Sequence, residues 1–379
     1  MKPLLSVRNL TKQLAPHLGP VVVQVSFDVY AGEIFALLGP SGCGKTTTLR
    51  VIAGFERPDA GEIYLEDRLL DSTEVHLSAN TRGIGFVFQD YALFPHLSVM
   101  DNVGFGLRKL PSKLLRERCL EVMELVDLIS IKDRKPHELS GGEQQRVALA
   151  RSIAPGPRLI LLDEPFSNLD AELRHTTREE VRELLKKTGM SAVLVTHDQE
   201  EALCLANRIA VMQNGQIEQI GTPESIYHCP QTPFVAEFLG KTNLISGEAK
   251  GDCADTLLGR LPLDCHAEGK VLLSIRPEHL TIERCNEDDP NGLRGKIAMR
   301  EFKGHDLTYR VNIGEQGYIV QTDHRCPFKV DDQVQLRAVE PAVVIRGSSD
   351  SSTLRLPSNM SSQDTRAEEA FQHKATDRG

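Results

Sequence analysis

A short apolar run, IFALL at residues 34–38, leads directly into GPSGCGKT at residues 39–46 and then into TTLRVIAG. The run follows a Gly32-Glu33 turn and reads as a strand buried on both faces, the kind that parallel sheets use. The loop matches GxxxxGK[ST] at every position. Its glycines let backbone N–H groups turn inward and wrap an anion. The spacing then lets Lys45 reach the β- and γ-phosphates of a nucleotide and lets the Thr46 hydroxyl ligate Mg²⁺. A helix over residues 46–54 adds the positive end of its dipole. Strand, phosphate loop and helix in that order restrict the chain to an α/β fold built on a parallel sheet.

Two further apolar runs end in polar groups that suit the same sheet edge. LILL at residues 159–162 stops at Asp163 and Glu164, and the carboxyl ends of parallel strands are where ligand chemistry collects. Asp163 fits a Mg²⁺ ligand acting through the ion's water shell. Glu164, one residue on, is placed to orient or deprotonate a water attacking the γ-phosphate. Taken alone, an acid pair is more simply a solvated loop cap; downstream of a phosphate loop it is a catalytic candidate. AVLVT at residues 192–196 delivers His197, which is suited to hydrogen-bond the γ-phosphate and the attacking water. A second glycine motif, LSGGEQQR at residues 139–146, opens a helix with Ser140, Gly141 and Gly142. That gives one chain two phosphate cradles, an arrangement suited to a machine that works in pairs.

These residues resemble, in family order, the ATP-binding cassette (ABC) ATPases of bacterial importers. Residues 39–46 match the Walker A motif, 159–164 Walker B, Gln89 the Q-loop, 139–144 the family signature, 167–170 the D-loop and His197 the switch histidine. The resemblance implies a P-loop cassette with an α-helical subdomain. It implies that ATP is held by Gly39, Pro40, Ser41, Gly42, Cys43, Gly44, Lys45, Thr46 and Thr47 of one subunit and by Ser140, Gly141, Gly142 and Gln144 of another. Mg²⁺ falls to Thr46, Gln89 and Asp163, and catalysis to Glu164, His197 and Gln89. The implied partners are a second ATPase subunit, most simply an identical copy, two membrane-spanning permease subunits, and a periplasmic or extracellular solute-binding protein. The implied location is the cytoplasmic face of the cell membrane, as a peripheral protein.

The remaining segments fit that plan. FQDYALFPHLSV at residues 88–99 resembles the stretch that joins the nucleotide site to the helical subdomain (about 90–157), and partner docking is expected near residues 91–96. The cassette is expected to occupy residues 1–240, with a helical stretch running from Gly221 toward Gly240. Short apolar or alternating runs at 271–275, 296–299, 307–313 and 333–336, with turns at Asn291-Gly292 and Gly314-Glu315, read as an all-β, barrel-like domain over residues 241–346. IRPEHL at residues 275–280 resembles the motif of the oligonucleotide-binding-like (TOBE) domain appended to such ATPases, where it serves dimer contact and regulation. Residues 347–379 are polar and serine-rich, the composition of a disordered tail. The sequences AGFERPDAGEI, DEPFSNLDAELR and GRLPL look most like ferric-iron importer ATPases. Sugar, polyamine, sulfate and molybdate importers share nearly all the other motifs.

Composition excludes several classes. No apolar run reaches the ~18 residues of a membrane span, and no cleavable leader opens the chain. A net charge of −9 gives no support for nucleic-acid binding. Soluble ABC ATPases of translation or DNA repair, by resemblance, carry two cassettes or a long inserted coiled coil; this chain has one P-loop and no sustained heptads. The eight cysteines form no CxxC pair, so a disulfide framework is not expected. Cys43, beside a helix N-terminus, is expected to have a depressed pKa and, when alkylated, to block turnover.

The chain departs from the family in one respect. No aromatic residue precedes Phe27, where the family stacks a ring on adenine, and Leu14, or failing that His17, takes its place. Weak discrimination between ATP and GTP is therefore expected, and a nucleotide competition assay that returned strong adenine selectivity would contradict it.

Overall fold

The computed structural model describes residues 2–15, 17, 19–285 and 294–345. The expected Asn291-Gly292 turn and the polar tail lie outside these residues. The central sheet has six strands in the order Gln216–Gly221, Arg208–Gln213, Ile34–Leu38, Ser191–Thr196, Leu159–Asp163 and Ile84–Val87. All but the first are parallel. The three strands read from apolar runs are present, the second extended by one residue at its end and the third by one at its start.

Those three strands are buried along their whole length. Alternation sends Ile34, Ala36 and Leu38 into one apolar cluster and Phe35 and Leu37 into another. The first cluster holds Val122 and Met123 of the helix Ser112–Leu125 and Val147 and Leu149 of the helix Gly141–Ile153. The second holds Leu49 and Ile52 of the helix Lys45–Ala53. It also holds an antiparallel sheet ordered Val22–Val29, Leu5–Lys12, Ala60–Leu65 and Arg68–Asp71. A buried side chain of this size contributes about 1.5–3 kcal/mol, against about 1–2 kcal/mol per residue of backbone entropy. A five-residue strand therefore needs both faces covered to hold its place.

The back of the phosphate-loop helix is fixed by a buried cation. Arg82 is fully enclosed, and its guanidinium donates to the carbonyls of Val51 and Ile52, both at 2.9 Å, and of Leu77 at 2.7 Å. Its charge is paired with the equally buried Asp71, whose carboxylate also meets His76 at 3.0 Å. Two carbonyls of the helix's last turn, that of Val51 also accepting from the Gly54 N–H at 3.1 Å, thereby gain a side-chain donor. Gly54 ends the helix at φ 83, and a Cβ there would lie 2.3 Å from Arg82 Nε.

Beyond the cassette the expected helical stretch is two short helices, Pro223–His228 and Pro233–Phe238. Pro230 separates them, since proline lacks an N–H and drives Cys229 out of the helical region. The chain then forms two antiparallel sheets around one core. One contains Asn243–Thr256, Gly259–Ile275 and Val343–Ile345. The other runs Leu280–Arg284, Gln333–Ala338, Arg294–Phe302, Asp306–Ile313 and Gln316–Asp323. The four runs read as strands all fall within these elements; the long hairpin of 243–275 exceeds what they suggested.

Arg276 of IRPEHL joins this domain to the two short helices. It is 3% exposed, donates to the carbonyls of Tyr227, Ala236, Gly240 and Lys241, and lies 4.2 Å over the Tyr227 ring. The Tyr227 hydroxyl donates to Glu278 at 2.8 Å. Among the described residues, no helix is long and apolar enough to cross a membrane.

Arg82→Leu leaves Asp71 buried without its counter-charge. It should cost about 3–5 kcal/mol of stability, read as a lowered midpoint in urea denaturation at neutral pH.

Candidate active site

Four parallel strands deliver their carboxyl ends side by side. Leu38 leads into the phosphate loop, Thr196 into His197, Asp163 into Glu164, and Val87 through Phe88 into Gln89. The loop needs its glycines for different reasons. Gly42 and Gly44 take φ 80 and 100, a region only glycine enters freely. A Cβ on Gly39 would lie 2.3 Å from the Met212 carbonyl, and one on Gly44 2.5 Å from that of Val21. Lys45 is 5% exposed, and its ammonium donates to the carbonyls of Gly39 at 2.8 Å and Pro40 at 2.9 Å. The charge thus sits at the centre of the loop it is expected to serve. Ser41 and Gly42 are exposed on the rim, and Thr46 and Thr47 are half-buried in the first helical turn.

Two of the three expected metal ligands, Thr46 and Asp163, meet at the sheet edge. The Thr46 hydroxyl donates to Asp163 Oδ1 at 3.0 Å. Asp163 is 7% exposed, and burial raises its pKa, an effect the Thr46 hydrogen bond and the charges of Arg50 and Lys45 partly offset. A hydroxyl, a buried carboxylate short of positive charge and a nearby amide form an all-oxygen set that fits Mg²⁺ with retained waters. Glu164 stands beside it at φ 43, a left-handed conformation that costs about 1–2 kcal/mol for a residue with a Cβ. Its carbonyl accepts from the Ser167 hydroxyl at 3.0 Å, and its own N–H reaches the Val195 carbonyl at 2.9 Å. The turned side chain places Oε2 at 3.1 Å from His197 Nδ1 and 3.4 Å from the Gln89 amide nitrogen. Gln89 and His197, read from separate stretches of sequence, thus both reach Glu164.

The supporting groups include several that sequence reading missed. Asn168 donates to the Gln89 carbonyl at 2.8 Å; it lies in the D-loop motif, which is the only signal that could have found it. Behind His197, Thr196 donates to the buried Glu201 at 2.6 Å and accepts from the Asp198 N–H at 2.9 Å. Burial raises the Glu201 pKa. Asp198 caps the next helix through the N–H groups of Glu200 and Glu201. Nothing in a single sequence marks Thr196 or Glu201.

The second cradle is built separately. Ser140 caps the helix Gly141–Ile153 in a capping box, its hydroxyl accepting from the Glu143 N–H at 3.3 Å while Glu143 accepts from the Ser140 N–H at 2.7 Å. That N–H, then the Ser140 hydroxyl, holds the Glu143 carboxyl below its usual range. A Cβ on Gly141 would lie 3.1 Å from Leu169, and one on Gly142 3.3 Å from Leu173. The Gln144 amide donates to the carbonyls of Pro136 and Leu139, both at 3.2 Å, so it braces the loop before the helix. Among the described residues, no hydrogen bond or ion pair joins Ser140, Gly141 or Gly142 to the phosphate loop.

Two expectations are corrected here. Cys43 is 4% exposed, and burial raises its thiol pKa, outweighing the lowering by Lys45; the helix N-terminus does not activate a thiol turned into the core. Tyr91 is 4% exposed, with its phenol pushed up to about 12 by burial, so it belongs to the core and not to a docking face. Of residues 91–96, Ala92, Pro95 and His96 are the exposed ones. Tyr91 and Ala92 adopt φ 60 and 44. Leu14 is 54% exposed, in the turn following the strand Leu5–Lys12. That hairpin closes at Val21, whose N–H donates to Lys12 and whose carbonyl faces Gly44, which sets the turn beside the phosphate loop.

Comparison with known proteins agrees with this geometry. Residues 22–167 match the family model described as ABC transporter, and residues 273–345 the one described as TOBE domain. The chain is 45% identical to the Fe(3+) ions import ATP-binding protein FbpC of Mesorhizobium japonicum, over 80% of this chain and 86% of that protein. It is 41% identical to the spermidine/putrescine import ATP-binding protein PotA of Marinobacter nauticus, over 90% and 92% respectively. Among solved structures it resembles the dimeric post-hydrolysis state of the ATP-binding cassette MJ0796 bound to ADP and Pi. The TM-score is 0.50 at 31% identity, over 58% of this chain and 98% of that one.

With Cys43 buried and Cys204 and Cys229 exposed, brief iodoacetamide treatment of the native protein should modify the latter two first. Peptide mass spectrometry should find Cys43 labelled only after denaturation.

Proposed function

The chain belongs to the ATP-binding subunits of ABC transporters, and from that premise we propose that two copies pair head to tail and hydrolyse ATP to drive a membrane importer. That the protein is an ATPase with an appended TOBE domain follows from its family. In the proposed dimer each ATP lies between the phosphate loop of one copy and Ser140, Gly141 and Gly142 of the other. Ligand binding that favours the closed pair draws the subunits together, and hydrolysis releases them. The motion is passed to two permease subunits that dock on the exposed part of residues 91–96. A solute-binding protein brings the cargo to them from outside.

The observation that carries the reading is the convergence on Glu164 Oε2 of His197 at 3.1 Å and Gln89 at 3.4 Å, beside the Thr46–Asp163 hydrogen bond. Glu164 takes the proton of the attacking water as its oxygen bonds to the γ-phosphorus, and the bond to the β–γ bridging oxygen breaks to leave ADP. His197 orients Glu164 and the γ-phosphate, and Gln89 orients the water. Thr46, Asp163 and Gln89 would hold Mg²⁺, which when bound would supply positive charge to offset that of the phosphates.

The proposed cargo is ferric iron, supported by the GRLPL, AGFERPDAGEI and DEPFSNLDAELR segments and by relatives named for Fe(3+) import. A polyamine is the second reading, because relatives named for spermidine/putrescine or putrescine import are about as similar. Identification of the ligand on the solute-binding protein that co-purifies with the complex separates the two.

Glu164→Gln should retain ATP binding and ATP-driven dimerisation while turnover falls by about 10²-fold or more. Ser140→Arg should bind ATP as an isolated subunit yet fail to dimerise. Normal turnover by the first variant, or full activity from a monomer in analytical ultracentrifugation, would overturn the shared-site mechanism.

A further inference from the structure

The helix Gly141–Ile153 begins at one phosphate cradle and ends against the loop that serves the other. Near its last turn, Arg151 donates from one guanidinium nitrogen to the Ala92 carbonyl at 2.6 Å and from another to the Tyr91 carbonyl at 2.7 Å. These are the second and third carbonyls after Gln89. Both residues are held left-handed, at φ 60 and 44, where side-chain-bearing residues do not rest unaided. Tyr91 is pinned by its buried ring, and Arg151 also lies 5.4 Å from the Phe94 ring centroid. Burial lowers the Arg151 pKa, in keeping with a cation that has exchanged water for main-chain oxygens. At the other end of the loop, Asn168 holds the Gln89 carbonyl. Gln89 is therefore fastened from both sides, by the D-loop and by the helix that Ser140 caps.

We propose that Arg151 is a positioning residue for hydrolysis. It ties the helix whose N-terminus faces the partner's nucleotide to the strained turn that aims Gln89 at this subunit's own nucleotide, so that the two move as one body. One chain's two half-sites are thereby joined: closure on the partner's ATP pulls on Gln89. The inference rests on the roles given above to Gln89 and to Ser140, Gly141 and Gly142.

Steady-state ATPase assays of the full-length chain test it with four variants. Arg151→Lys keeps the charge but loses the planar fork that spans two carbonyls. It should lower kcat about tenfold with KM for ATP changed less than about twofold, the pattern of a misplaced group and not of lost binding. Ala92→Gly alone is the reference for the double variant, because glycine takes the left-handed conformation without strain. The Arg151→Lys, Ala92→Gly double variant should recover most of the lost kcat, since the turn then holds its shape without the fork. Gln89→Ala, run alongside, should be impaired.

If Gln89→Ala turns over normally, the role of Gln89 fails and this inference with it. If Gln89→Ala is impaired while Arg151→Lys is not, the inference alone fails. It is equally overturned if Ala92→Gly gives no recovery, or if Arg151→Lys loses nucleotide affinity and thermal stability in parallel with kcat.

Discussion

A carboxylate taken out of water must be given partners, and the site is arranged around the one at Asp163. The acid ends a strand buried on both faces, where an unpaired charge costs several kcal/mol. Its nearest relief is the Thr46 hydroxyl, which comes from the first turn of the helix that follows the strand on the far side of Ser191–Thr196. That bond therefore reaches across the end of the intervening strand, the one from which His197 emerges. The same desolvation that raises the Asp163 pKa creates the demand for positive charge that Lys45, Arg50 and a divalent ion can meet. Stability and the proposed chemistry here pull the same way: Thr46 and Lys45, which make the acid more tolerable, are also proposed to handle phosphate and its metal ion.

The second cradle obeys a different constraint. A Cβ on Gly141 or Gly142 would press on the side chain of Leu169 or Leu173, so the glycines of the signature also serve close packing within the subunit. The capping box then orients the remaining N–H groups at the helix start. A helix that begins in this way offers its dipole outward, toward a surface that the same subunit's phosphate loop does not reach.

Much of this was legible in sequence because buried parallel strands write themselves as unbroken apolar runs, and their ends carry the chemistry. Residues 34–38, 159–162 and 192–196 are of this kind, and the residues following them form the candidate site. The antiparallel sheet containing Leu5–Lys12 and Ala60–Leu65 is half-exposed and mixed in pattern, which hid it. Sequence placed Cys43 and Tyr91 correctly along the chain but misjudged their surroundings, since burial is a property of what folds over a residue. Arg82, Arg151 and Glu201 left no trace, because their partners are main-chain carbonyls or residues that come near only in the fold. The helical stretch after Gly221 reads as one element by composition, yet Pro230 divides it in two.

The joint between the cassette and the β domain has a property that follows from what Arg276 holds. Its acceptors are backbone oxygens of Tyr227, Ala236, Gly240 and Lys241, and every amino acid supplies the same oxygen. Tyr227 apart, whose ring lies under Arg276 and whose hydroxyl meets Glu278, the sequences of the two short helices are therefore free to drift without loosening these bonds, provided their backbone path is kept. Tolerance on one side is matched by dependence on the other: the seam accepts many versions of its socket and a single key.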